Sequence, residues 1–396
     1  MNTTIREIDV HALYQLLDTR DRVQILDVRP AEAFQAGHVE GRRAAHLVNV
    51  PYAAFTADEA GAVGSLPFDR EQELVVVCAR GRTSRLATEL LQRHGFRVSS
   101  MTGGMQAWGD FYVMHEVVPS TPDLTIVQFN RPGKASLSYL VASAGEGIVI
   151  DANRHIEPYV EEARRRGITI RHVMDTHVHA DYISGGALLA EQTGATYHLS
   201  GVCGYQGPLA VDGKPGPLRI GNLDLLKLAT PGHTPGSTSL LVDGRFLLTG
   251  DTLFVGSVGR PDLGGEVVPW ARQLYRTLHV ELAALADEVV ILPAHYADHA
   301  EMADSGVVSG TLGDLRRTNE GMQARSEEEF IAFIERNMRP SPESYARIRQ
   351  INLAALTVDA EELEDLDRGK NQCAASQGLA CSTTLAARSG ATAPGV

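Results

Sequence analysis

Four short motifs, each carrying histidine or aspartate and each placed just past an apolar run, constrain this chain more than any other feature. They are Thr176-His177-Val178-His179-Ala180-Asp181-Tyr182, Pro231-Gly232-His233-Thr234-Pro235-Gly236, Gly250-Asp251 and Ala294-His295. The runs before them, residues 168–174, 223–229, 246–249 and 289–292, predict buried strands. Side chains on loops beyond the carboxyl ends of sheet strands can converge on one point. The i, i+2 spacing of His177 and His179 fits an extended loop, since alternate side chains share a side only when the backbone is not helical.

Imidazole and carboxylate are the donor set for zinc or non-haem iron. His177, His179, Asp181, His233, Asp251 and His295 therefore predict a divalent-metal centre.

In order, these motifs, with Thr252-Leu253-Phe254 after Gly250-Asp251, resemble the metallo-β-lactamase superfamily over residues 121–345. The resemblance implies an αβ/βα sandwich. The local pattern agrees: residues 156–166 and 184–192 predict helices, the second with Ser184 as N-cap, and Asp243-Gly244 between apolar runs predicts a hairpin. Two-zinc hydrolases of the superfamily carry His-x-His-x-Asp-His, but Tyr182 stands in the last place here. A phenol with a pKa near 10 is a poor ligand at neutral pH, so one metal is the more economical expectation. His177, His233 and Asp251 match the two-histidine, one-carboxylate iron set of the persulfide dioxygenases. That resemblance implies one Fe(II) per chain, with zinc as the alternative, binding O₂ and a persulfide. His179, Asp181, Tyr182 and His295 would then orient ligands or form a reduced second metal site, and Arg260 would contact substrate.

Ahead of this region, residues 23–26 and 73–77 are short β-branched runs that switch into polar loops, alternating with helical stretches at 9–17 and 83–93. Alternating strands and helices imply a parallel α/β sheet. Cys78 falls between a buried run and a helix start, where backbone N–H groups of the loop Cys78-Ala-Arg80-Gly81-Arg82-Thr83 favour a thiolate, as do Arg80 and Arg82. Asp27-Val-Arg29, Gly37-His-Val-Glu-Gly41, Asn49-Val-Pro51, the Cys78 loop and Gly103-Gly-Met-Gln-Ala-Trp108 together resemble the rhodanese sulfurtransferase domain. The resemblance makes Cys78 the catalytic cysteine and Arg80, Gly81, Arg82 and Thr83 its sulfur-holding loop.

The expected fold class is thus α/β, a rhodanese-like parallel sheet domain at 1–115, a linker at 116–123, a metallo-β-lactamase sandwich at 124–365 and a partly disordered tail at 366–396. Residues 338–352 predict a helix entered through prolines, and 359–367 an acidic, solvated face. A net charge of −13 argues against nucleic acid or an anionic membrane surface as partner. No run of 18 apolar residues occurs and the first residues lack an apolar signal core, so a cytoplasmic location is expected. The four cysteines, Cys78, Cys203, Cys373 and Cys381, show no disulfide or zinc-knuckle spacing, and Cys203 reads as structural.

The two halves make chemical sense together. A rhodanese cysteine moves sulfane sulfur between thiosulfate and a small thiol such as glutathione, and a persulfide dioxygenase consumes the resulting persulfide. The expected partners are these small molecules and O₂, with a homodimer possible. The alternative is a zinc thioester hydrolase resembling glyoxalase II, joined to a sulfur-relay domain.

Overall fold

A computed structural model describes residues 5–43 and 45–375, which divide into two units, the first ending at Trp108 and the second beginning at Gly109. The first unit is built on five strands in the order Glu7–Ile8, Val98–Met101, Leu74–Val77, Gln24–Asp27, His46–Asn49, all parallel. Parallel pairing requires helical crossovers, which is why residue runs of period 2 and 3.6 alternate here. Asp9 caps the helix Val10–Thr19 by accepting from Ala12 N at 2.8 Å.

The second unit is a sandwich of two sheets. The seven-stranded sheet runs Ala210–Asp212, Thr196–Leu199, Thr169–Met174, Glu146–Ile150, Ser136–Ser143, Thr125–Arg131, Val113–Glu116. The six-stranded sheet runs Gly216–Ile220, Leu223–Ala229, Thr238–Val242, Phe246–Gly250, Val290–Pro293, Gly310–Thr311. Alternation along each strand divides its side chains between two cores. Ile126, Leu137, Tyr139, Val141 and Ile148 meet Leu225, Leu240, Val242 and Leu248 between the sheets. Val127, Phe129, Leu140 and Val149 instead face the helices Glu157–Arg166 and Gly186–Thr193, while Leu247 and Ile291 face Val267–Arg276 and Glu327–Asn337. This double covering gives the helix-sheet-sheet-helix order.

The Asp243-Gly244 turn joins antiparallel strands with φ of 52° and 63° at its centre, the left-handed pair a tight hairpin requires. Three local expectations come out differently. The cap residue is Gly185, one position later than expected, but Ser184 Oγ still accepts from the first helical N–H, Gly186 N, at 2.9 Å, and donates to Asp175 Oδ2 at 2.5 Å. Val113–Glu116, expected as the end of the first domain and the first linker residue, is a strand paired with Thr125–Arg131. At the acidic end of the chain, Ala360–Leu366 is helical with an exposed face, but Asp367 is buried and ion-paired with Arg131 at 2.7 Å. Its charge is compensated inside the fold rather than by water. Cys381 and most of the expected tail lie outside the described residues, whereas residues 366–375 pack into the second unit.

Candidate sulfur loop and metal centre

In the first unit, Cys78 directly follows the strand Leu74–Val77 and precedes the helix Arg82–Arg93. Gly81 takes φ 81°, a left-handed turn that aims its N–H at Cys78 Sγ, 3.1 Å away. Cys78 Sγ also lies 3.3 Å from Ser84 Oγ, which receives the hydroxyl of Ser100 at 2.8 Å. Ser84 and Ser100, both buried, went unmarked in the sequence; the available signal for Ser84 was a small polar residue on the first helical turn after the loop, while Ser100 lies on the strand Val98–Met101. Arg80 and Arg82 are exposed beside it. Beneath the loop, Met105 N donates to Cys78 O at 2.8 Å, and a Cβ at Gly104 would stand 2.3 Å from that oxygen. The loop can therefore sit down on the Gly103-Gly104 turn only while residue 104 lacks a side chain. Arg29 binds Asp27 at 2.7 Å and Gly37 O at 2.6 Å, and Asn49 Nδ2 donates to both Asp27 O and Arg29 O. The motifs at 27–29, 37–41 and 49–51 are thereby one bonded cluster.

In the second unit the expected residues converge. The donor atoms of His177, His233 and Asp251 lie within 4.8 Å of one another, all buried. His177 Nε2 and His233 Nε2 stand 3.6 and 3.5 Å from Asp251 Oδ2, and none of these three atoms has a hydrogen-bond partner. Buried polar atoms are almost always paired, so three orphans facing one point are what a metal set requires. The opposite ring nitrogens are engaged. His233 Nδ1 donates to Arg260 O at 2.9 Å, and His177 Nδ1 lies 2.9 Å from Thr176 Oγ1, whose own hydroxyl donates to Asp151 Oδ2. Protons on Nδ1 leave the Nε2 lone pairs facing inward. Burial holds both imidazoles below their ordinary pKa, which keeps them neutral and able to ligate.

Asp251 keeps its charge because His295, at 2.6 Å, outweighs the burial that would raise its pKa. Burial opposes protonation of His295 too, but Asp251 and Asp181 on its two sides raise its pKa to about 10. His295 Nε2 lies 2.9 Å from Asp181 Oδ2, close enough for charge pairing but out of line for a directed hydrogen bond. Tyr182 OH donates to Asp151 O at 3.2 Å and lies 3.0 Å from His179 Nε2, and its ring stacks on His179. Burial lifts this phenol well above its ordinary pKa. His179 Nε2 turns to Asp151 Oδ1 at 3.1 Å, and its Nδ1 has no partner.

The guanidinium of Arg260 is occupied by protein: both Asp262 oxygens at 2.6 Å, Arg339 O at 2.6 Å and Gln372 O at 3.2 Å. Its carbonyl, not its charge, reaches the centre. Cys203, read as structural, is half-buried, and burial raises its thiol to about 11. Sequence reasoning passed over Asp151, which receives Thr176 N at 2.7 Å and sits at φ 56°. The signal was present, since Asp151 ends a strand just as Asp251 does. It also passed over Cys373, fully buried with its sulfur grouped with Asp181 and His295.

Comparison with known proteins finds relatives of both units. A rhodanese-like domain model matches residues 9–110, and a metallo-β-lactamase superfamily model matches 131–201 and 216–295. The mitochondrial persulfide dioxygenase ETHE1 of Mus musculus is 30% identical over 227 residues, 54% of this chain and 82% of that protein. A hydroxyacylglutathione hydrolase of a Polaromonas species is 30% identical over 237 residues, 54% of this chain and 86% of its own. Among solved structures, ETHE1 from Myxococcus xanthus aligns with TM-score 0.52 and 29% identity, over 58% of this chain and 99% of that one. A metallo-β-lactamase from Staphylococcus aureus aligns with TM-score 0.54 and 29% identity, over 59% and 74%. The chain belongs to the metallo-β-lactamase superfamily and carries a rhodanese-like domain at its N-terminal end.

Proposed function

We propose that the second unit is a mononuclear non-haem iron dioxygenase acting on the persulfide of glutathione or a similar small thiol, and that the first unit is a sulfurtransferase working through Cys78. The observation that carries this reading is the trio of buried, unpartnered donor atoms, His177 Nε2, His233 Nε2 and Asp251 Oδ2. Tyr182 supports it, because its phenol, in the place of a second-metal histidine, is bonded to Asp151 instead. The likeness to persulfide dioxygenases supports it as well.

Fe(II) in this set would supply binding positions for O₂ and sulfur and the electrons that activate O₂. The chain does the rest. Thr176 and the Arg260 carbonyl fix the tautomers of His177 and His233. His295 holds Asp251 by its outer oxygen, leaving Oδ2 for the cation. In balance, a persulfide, O₂ and water give the thiol, sulfite and protons; the terminal sulfur is oxidised and O₂ is reduced. At Cys78 the thiolate attacks the sulfane sulfur of thiosulfate, the S–S bond breaks, sulfite leaves, and a small thiol takes the sulfur from the cysteine persulfide. The persulfide so formed is the substrate of the other reaction.

Anaerobically iron-loaded protein given glutathione persulfide should consume O₂ and release sulfite in equal amounts; no O₂ uptake overturns the dioxygenase. One observation favours a second reading, a zinc thioester hydrolase: His179 Nδ1 is also buried and unpartnered beside His177. Metal analysis separates them, since a hydrolytic pair of zinc ions would replace a single iron.

A further inference from the structure

Arg260 was the arginine expected to meet substrate, and Asp262 engages its guanidinium. In the second unit the other buried or half-buried arginines Arg131, Arg154, Arg166 and Arg316 likewise each have a carboxylate partner. Arg349, half-buried on the helix Ser344–Asn352, has none among the described residues. Its Nη1 donates to Leu263 O. Its Nε is buried with no hydrogen-bond partner, and Nη2 meets no acceptor among the described residues. Nε and Nη2 form the edge by which Arg29 grips Asp27 and Arg260 grips Asp262. That edge is shaped for two parallel bonds to one carboxylate. Burial pushes the Arg349 pKa down, and the titratable neighbour acting on it is the Cys203 thiol, raised to about 11 and so uncharged at neutral pH. A buried cation with no anion beside it is costly.

The surroundings of Arg349 are the loops that build the centre. Three residues along the same helix, Asn352 Nδ2 donates to His179 O at 2.9 Å and to Tyr182 O at 2.8 Å, and its Oδ1 accepts from Ser184 N at 2.9 Å. Leu263 closely follows Arg260, whose carbonyl receives His233. Cys203 packs on Gly236, the last residue of the motif holding His233, so closely that a Cβ at Gly236 would strike its sulfur. The guanidinium is therefore tied on one side to the His177–Tyr182 loop and on the other to the loops around His233. We infer that Arg349 is a substrate-binding residue that receives a carboxylate of the small thiol carrying the sulfur, so that the second unit selects anionic thiols such as glutathione over neutral ones. This rests on the reading of that unit as acting on a small-thiol persulfide. A grip on the remote end of the thiol adds binding and fixes the direction from which its sulfur approaches the donors.

S-Methylglutathione, which keeps both carboxylates but has no reactive sulfur, reads the site without turnover. Its diamide has the same shape and lacks the two negative charges. In calorimetry on the full-length protein the acid should bind at least about tenfold more tightly than the diamide, the worth of a charge-assisted bond. Arg349→Met should bring the acid down to the affinity of the diamide, and Arg349→Lys, which keeps the charge but not the fork, should recover part of the difference. No binding of the acid, equal affinities in the wild type, or a preference for the acid that persists in Arg349→Met overturns the inference; the first two results need no variant to fold. An Arg349 that only docks its helix on Leu263 would lower the urea midpoint when replaced and leave the ratio of the two affinities unchanged, which also overturns it. Failure of the dioxygenase is seen separately: a protein that binds the acid in preference to the diamide yet consumes no O₂ with glutathione persulfide keeps the carboxylate grip and loses the reaction.

Discussion

His295 Nδ1 lies 2.6 Å from Asp251 Oδ1, so the only oxygen that Asp251 can turn toward His177 and His233 is Oδ2. His295→Ala should free the carboxylate to rotate. Loss of an orienting partner of this kind weakens metal binding about 10–100-fold. Competition with a chelator of known affinity measures it, and unchanged affinity would show that Asp251 is held by something else.

Removing a donor should do more than removing its support. His177→Ala and His233→Ala should each bring iron content from about one per chain to near zero and abolish O₂ uptake, because two donors are too few to hold Fe(II) against the solvent. Sulfur transfer from thiosulfate, assigned to the other unit, should persist in both variants.

Gly259 is confined by the centre itself. A Cβ there would stand 1.9 Å from Asp251 O and 2.9 Å from His233 Nδ1. Gly259→Ala should displace both ligands and cost about 1–3 kcal/mol in stability, the usual range for overpacking. Metal content and the urea midpoint, taken together, test it: both should fall.

In the first unit, Cys78→Ser should abolish thiosulfate:cyanide sulfur transfer while O₂ uptake with added persulfide stays intact. Ser84→Ala should leave the nucleophile in place but remove a hydroxyl 3.3 Å from it. A loss of about tenfold, the effect of one neutral hydrogen bond of about 1.4 kcal/mol, is expected in turnover. An unchanged rate would make Ser84 a packing residue only.

Asp367 gives a prediction in pH. Burial would raise its carboxyl, but Arg131 and Lys134 hold it below the ordinary value. Because the folded pKa is depressed, the stabilisation is fully present above the unfolded value of about 3.9 and disappears as pH falls through the folded one. Asp367→Asn should therefore cost about 3 kcal/mol near neutrality, since buried Arg131 keeps only the longer pair with Asp110 at 3.8 Å, and the gap to wild type should narrow below about pH 4. Urea titrations of both proteins at several pH values check it.

What the sequence disclosed follows the range over which its signals act. His177, His179, His233, Asp251 and His295 each stand a few residues past a strand, so local pattern was enough to find them and the fold they imply. Asp243-Gly244 was legible for the same reason. Cys373 was not, because its neighbours Asp181 and His295 lie 192 and 78 residues back and only the path of residues 367–375 brings it to them. Asp367 looked solvated because its neighbours in sequence are acidic, whereas its neighbours in space are Arg131 and Arg154. Arg260 drew notice for its charge, which the structure binds to Asp262; what faces His233 is a backbone oxygen that any residue possesses.

The strap at 367–375 also orders events during synthesis. Arg131 is buried against Asp367, 236 residues later, and the Asp181 loop waits on the same segment for Ile183 N. Long-range closures of this kind form late because the intervening chain must first be brought together. A nascent chain can pair most of both sheets on the ribosome, yet the loops around the centre gain their last bonds only when residue 375 has emerged, which delays a finished site until the second unit is almost wholly made.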